Sequence, residues 1–223
     1  MRCADFAVRV VFVSFQCLVL VSCATATAPP AADDELVKIE RTPLDSAYRA
    51  PGFDLEDYQR LAVDECTVSF RDNWLRDQNR ERGPSQLVTT DDMRRIERQL
   101  AASCRDIFSD RLQLRVEGEE SAPRGDRTLT VRPAIVDLDI LAPDIQASGR
   151  QTQLASNAVR MGLEAELVDS DSGATAVRIV DHRRADEVGR TRPTSSVGNM
   201  AAAERIVRYW AAQVHEVLTR EAD

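Results

Sequence analysis

The sequence predicts an α+β domain: an antiparallel sheet of about four to five strands with two amphipathic helices packed on one face, in the order β-α-β-β-β-β-α. Three observations carry this. Val159, Met161, Leu163, Ala165 and Leu167 alternate with Arg160, Glu164 and Glu166, the pattern of a strand with one buried and one wet face. Two other segments carry apolar residues at three- and four-residue spacing, the pattern of helices that must bury one stripe. Strands with one apolar face and helices with one apolar stripe satisfy each other as two layers.

The elements follow in order. Leu61 to Phe70 reads as the first strand, with Ala62, Cys66, Val68 and Phe70 approximately on one face. Thr89 and Thr90 offer N-cap hydroxyls, and Asp91 and Asp92 suit the positive end of a helix dipole. The helix they open carries Met93, Ile96, Leu100, Cys104, Ile107 and Phe108 on one stripe. Leu112, Leu114 and Val116 alternate as a strand, Gly118 to Gly125 is a polar turn, and Leu129 to Leu141 is a long strand. Its apolar phase changes near Pro133, which predicts a bulge or an edge position there. After the alternating strand, Asp169-Ser170-Asp171-Ser172-Gly173 is a turn by composition, and Val177 and Ile179 return antiparallel. Asn199 is placed to cap a final helix with Ala203, Ile206, Val207, Trp210, Val214 and Val217 on one stripe.

Ahead of this domain stands an export signal. Arg2 and Arg9 precede an apolar core from Val10 to Val21, too short to span a bilayer, which takes roughly 20 apolar residues. It ends at Leu20-Val21-Ser22-Cys23, a lipobox, so residues 1–22 read as a lipoprotein signal peptide. Cys23 then becomes the N-terminus, carrying diacylglycerol on its thiol and an N-acyl chain such as palmitate. An ordinary secretory signal, cut after Ala26 or Ala28, is the alternative. Ala24 follows the cysteine, with no Asp to retain the protein at the inner membrane, which directs it to the outer membrane with the domain in the periplasm. Residues 23–51 are Ala, Thr and Pro followed by mixed charge, the composition of a flexible tether. Residues 52–223 form one α+β domain.

The precursor has 29 Lys+Arg against 37 Asp+Glu; losing Arg2, Arg9 and Asp5 with the signal leaves 27 against 36, a net charge of −9. A domain this acidic is expected to be repelled by nucleic acid and by anionic lipid headgroups, since binding to either relies on Lys and Arg to neutralise phosphates, and nucleic-acid binding is disfavoured. With Cys3 and Cys17 removed and Cys23 lipidated, Cys66 and Cys104 remain, an even pair in an oxidising compartment. They form either a disulfide or two separate core thiols.

No catalytic signature is present. The two histidines, His182 and His215, have no metal-ligand spacing. Asp169 and Asp171 resemble the opening of a calcium loop, but Val180 stands where a bidentate Glu is needed. No cofactor other than the acyl chains is expected. Two features suit a protein partner: Trp74 among Arg71, Arg76, Arg80 and Arg82, and the run of Arg183, Arg184, Arg190 and Arg192. A tryptophan capping the core edge and a solvated loop are the plainer accounts of each.

The segment Ala47-Tyr48-Arg49-Ala50-Pro51-Gly52-Phe53-Asp54, Tyr58, the strand pair around Ala165 to Arg183 and the Tyr209-Trp210-Ala211 helix together resemble the bacterial lipoproteins of domain-of-unknown-function family 3313. That resemblance covers nearly all of the mature domain and implies a membrane-attached envelope protein without assigning an activity. The features together describe a lipid-anchored envelope protein with a non-enzymatic binding or accessory module and an unidentified envelope partner. The alternative is a lipid or small-ligand carrier with a pocket between sheet and helices; an enzyme ranks behind both.

Overall fold

The chain's alternating strands and its two long apolar stripes settle into two layers. The computed structural model describes residues 36–113, 127–141, 159–186 and 196–220. In chain order these contain β1 (Val37–Lys38), β2 (Ser46–Arg49), β3 (Tyr58–Val63), β4 (Thr67–Phe70), α1 (Trp74–Asn79), α2 (Thr90–Gln113), β5 (Arg127–Ile140), β6 (Val159–Asp169), β7 (Thr175–Arg184) and α3 (Ser196–Thr219). The sheet has seven strands in the order β1-β2-β7-β6-β5-β3, with β4 pairing β5 along the edge that β3 also uses. The fold class is α+β, but the sheet is larger than the sequence suggests and mixed.

The difference has physical causes. The expected first strand is split in two by Asp64-Glu65-Cys66, and both pieces run parallel to β5. Between β4 and β5 the chain runs through α2, and a helical crossover of this length returns the next strand in the same direction. At the other edge, β1 and β2 extend the sheet from β7, and both lie within residues 23–51, read from the sequence as tether. Strands of two and four residues are too short to show an alternation of their own.

The hairpin between β6 and β7 is as composition predicts. Asp169 Oδ1 accepts hydrogen bonds from the backbone N–H groups of Asp171 (3.0 Å) and Ser172 (2.9 Å), and Gly173 takes a positive φ of 73°. The strand β5 does change phase, but four residues beyond Pro133. Leu129, Val131, Pro133 and Ile135 face the core, then Leu138 and Ile140 do. Asp137, at φ 51°, and Leu138 together stand opposite Met161, the signature of a bulge. Pro133 needs no bulge, because its missing N–H faces the gap between the end of β3 and the start of β4.

Helix α2 starts with a capping box: Thr89 Oγ1 accepts from the Asp92 N–H (3.1 Å), and Asp92 Oδ2 accepts from the Thr89 N–H (2.9 Å). Leu112, expected in a strand, lies on this helix, and Leu114 and Val116 fall outside the described residues. Asn199 does not cap α3, which begins three residues earlier; buried within its first turn, it donates from Nδ2 to the Leu141 carbonyl (3.1 Å) and ties the helix to the end of β5. Both long helices cover the same sheet face. Leu100, Phe108, Trp210 and Val214 pack there against Val131, Ile135, Leu163 and Ile179, all at most 1% exposed.

Candidate functional site

Three arrangements outside the apolar core hold the chemistry of the domain: a polar network where the N-terminal arm joins the sheet, a cleft beside it, and the open sheet face.

The network centres on Asp181. In β7 the residues facing the helices are Val177, Ile179, Asp181 and Arg183, so the apolar face ends in an ion pair. Asp181 is fully buried; its Oδ2 accepts from Trp210 Nε1 (2.8 Å) and Arg183 Nε (2.8 Å), and its Oδ1 from the Asp45 N–H (2.9 Å). Arg183 also donates to the Tyr209 hydroxyl (3.2 Å) and stacks over that ring at 4.9 Å. Burial pushes the Tyr209 pKa up, against the opposing pull of Arg183. On the other sheet face, Asp45 Oδ2 accepts from the His182 N–H (3.0 Å) and lies 3.0 Å from His182 Nδ1. A carboxylate buried with several charge-assisted donors has its desolvation offset, and here those donors come from β7, α3 and the arm that precedes β2. The network therefore latches the arm to the body of the domain.

Beside this latch Arg49 reaches across the end of α3, donating to the carbonyls of Val217 and Arg220 (3.3 Å to the latter). Burial and then the neighbouring Arg220 pull its guanidinium pKa below the usual value. Between β1, the turn after β2 and the end of α3 lies a cleft of about 950 Å³ lined by Lys38, Arg41, Arg49, Arg220, Val37 and Phe53 among others.

The sheet face away from the helices carries exposed or half-buried side chains such as Arg132, Glu164, Arg178 and His182. Across β5, β6 and β7 runs a trough of about 690 Å³ whose charges are mostly neutralised in place, with Arg132 on Asp64 (3.1 Å) and Arg178 on Glu166 (2.6 Å). Gly162 lies on this face, and a Cβ there would stand 2.8 Å from Val136 Cγ2 and 3.1 Å from the His182 ring, so those side chains occupy the space a larger residue would need.

The residues singled out in the sequence are distributed as follows. Cys23, Arg190 and Arg192 lie outside the described residues. Cys66 and Cys104 are joined in a disulfide that pins the break between β3 and β4 to α2. Trp74 is not available to a partner: it is 1% exposed, donates from Nε1 to the Ile140 carbonyl (2.8 Å) and packs on Phe70 at 4.1 Å between ring centroids. The large apolar ring belongs to the core edge. Arg183 is committed to Asp181, and Arg184 lies 3.6 Å from Asp186. Among the described residues no three His, Cys, Asp or Glu side chains gather as metal ligands, and no helix is long and apolar enough to cross a membrane. Asp181, missed in the sequence, had one signal: an aspartate in phase with Val177 and Ile179, where a strand with one buried face calls for an apolar residue.

A family model described as a protein of unknown function, DUF3313, matches residues 35–214. No curated protein matches the sequence. Among similar solved structures, the PelC dodecamer from Paraburkholderia phytofirmans is 12% identical, with 75% of this chain and 96% of that one covered and a TM-score of 0.36. A "putative lipoprotein" from Caulobacter crescentus CB15 is 13% identical, with 74% and 88% covered and a TM-score of 0.33.

Proposed function

The chain belongs to the DUF3313 family, and we propose that it is a lipid-anchored envelope protein, acylated at Cys23, whose domain is a non-enzymatic binding module on the periplasmic side of the outer membrane. The observation that carries this reading is the way the arm from the lipobox is built into the fold. The chain that follows Leu20-Val21-Ser22-Cys23 enters the sheet at β1 and β2, and Asp181 and Arg49 fasten it there to β7 and α3. A domain held by its edge strands transmits the position of its anchor.

The filled interior supports a binding module over a carrier. Trp210, Phe108, Met161, Leu163 and Ile179 occupy the space between sheet and helices and are inaccessible to solvent, whereas a ligand site takes on the order of 300 Å³ or more. The polar groups with displaced pKa values, such as Tyr58 and Asp169, are engaged in bonds that hold turns and edges, which supports a structural use for them. Affinity purification of the acylated protein from crosslinked envelopes tests the reading. A specific envelope partner, absent from a control carrying only the signal and residues 23–35, is expected; recovery of the same proteins by both contradicts it.

A further inference from the structure

The cleft between β1 and the end of α3 differs electrostatically from the rest of this acidic protein. On the open sheet face Arg132 and Arg178 each meet a carboxylate. In the cleft, Lys38, Arg41, Arg49 and Arg220 converge with Glu40 as the single carboxylate of the lining. Lys38 and Arg41 are exposed, and among the described residues no side chain pairs with either. Arg220 is divided between Glu216 (2.7 Å) and the Arg41 carbonyl (2.8 Å), which keeps it at the rim.

Arg41 adds an independent observation. It holds φ at 58°, the left-handed region where a bulky side chain is strained and glycine is the ordinary choice. The Arg41 guanidinium, unpaired among the described residues, lines the cleft. Beside these cations, Val37 is 61% exposed and Phe53 and Ile39 offer apolar surface. Cationic groups next to exposed apolar groups match a phosphate ester attached to acyl chains.

Position favours the same ligand. The described chain starts at Leu36, 13 residues after Cys23, so at full extension the cleft lies within about 45 Å of the anchored residue. Tethering keeps that leaflet at high effective concentration. We propose that this cleft binds the phosphate of an anionic phospholipid from the leaflet that holds the Cys23 acyl chains, with Lys38 and Arg41 as the principal phosphate contacts and Val37 and Phe53 meeting the glycerol and upper acyl carbons. The inference rests on the lipid-anchored reading above and deepens it: the domain is docked on its membrane by its own edge strands.

The test uses the mature full-length protein in phosphatidylcholine vesicles, titrated with monomeric dihexanoylphosphatidylglycerol and followed by amide hydrogen exchange over residues 36–53. Slowed exchange is expected, and the Lys38→Gln/Arg41→Gln variant should need about 25-fold more lipid, roughly fivefold per cation removed. Both side chains are exposed, so the variant's melting temperature should match the wild type, and Lys38→Arg/Arg41→Lys should restore binding. Unchanged exchange, or equal affinity in wild type and variant, overturns the proposal. Equal protection by inorganic phosphate overturns the assignment to a lipid. The mass of the same preparation reports separately whether Cys23 is acylated, so failure of the anchor and failure of the cleft are distinguishable.

Discussion

The two edges of the sheet are fastened by different chemistry. At the β3/β4 edge the Cys66–Cys104 disulfide links the strand break to α2, and Tyr58, Arg127 and Asp169 close the corner: Asp169 Oδ2 lies 3.1 Å from the Tyr58 hydroxyl and 2.9 Å from Arg127, whose guanidinium sits 4.6 Å over the Tyr58 ring. At the β1/β2 edge there is no covalent link among the described residues; Asp181 and Arg49 hold the arm through hydrogen bonds to α3 and β7. A covalent clamp survives local fluctuation but yields to reductant. A buried polar latch yields to the loss of its acceptor, because a buried donor such as Trp210 Nε1 is then left unpaired. The second edge is the one at which the described chain begins, so under the proposed Cys23 anchor the polar edge is the mechanical junction.

This contrast orders the expected effects. Asp181→Ala should be the most severe, costing about 3–5 kcal/mol as a broken buried ion pair, read as a lowered denaturation midpoint with protection lost first over residues 42–49. An unchanged midpoint would remove the latch from the account. Reducing the disulfide, or replacing both cysteines with Ala, should cost about 2–4 kcal/mol. Its exchange signature should appear at residues 58–70 while the β1/β2 edge stays protected; equal loosening of both edges would mean that they are not independent. Gly162→Val is expected to cost about 1–3 kcal/mol through overpacking against Val136 and His182, measured by chemical denaturation, without favouring either edge.

The smallest effect is pH dependence, and it separates the edges again. Burial works against the Asp169 carboxylate, but the N–H groups of Ser172 and Asp171 and the Tyr58 hydroxyl outweigh it and hold its pKa below the usual range. A depressed folded-state pKa means that the unfolded chain binds more protons in acid. Its contribution is thus present above the unfolded carboxylate pKa and lost as pH falls through the folded value. Burial and then Asp169 push the Tyr58 pKa up to about 12. That raised value keeps stability intact below the unfolded tyrosine pKa and lowers it as pH climbs from there through about 12. Melting temperature against pH should fall at both extremes, and Asp169→Asn should flatten the acid limb. Asp92, held down chiefly by the Thr89 hydroxyl and N–H, leaves part of that limb in place.

The centre of the fold was readable because β6 and β7 alternate cleanly and the stripes of α2 and α3 are uninterrupted. The parallel pairing of β3 and β4 was not, since the direction of a strand depends on the crossover that follows it. Neither were β1 and β2, whose place in the sheet comes from pairing with β7 rather than from local pattern. The latch was half visible: Asp181 breaks the apolar phase of its strand, but Asp45 and Trp210, which donate to it, lie 136 and 29 residues away in sequence. Trp74 was ambiguous because its arginine neighbours suggest a surface while the ring itself suits the core. The cleft needs three segments brought together, and composition over any one of them suggests only a charged loop.

A domain latched to its own tether matters functionally only if the tether ends in lipid. Mass spectrometry of the mature N-terminus is the direct measurement: the account predicts Cys23 as the first residue, carrying diacylglycerol and an N-acyl chain, whereas an unmodified N-terminus at Thr27 or Pro29 would contradict it.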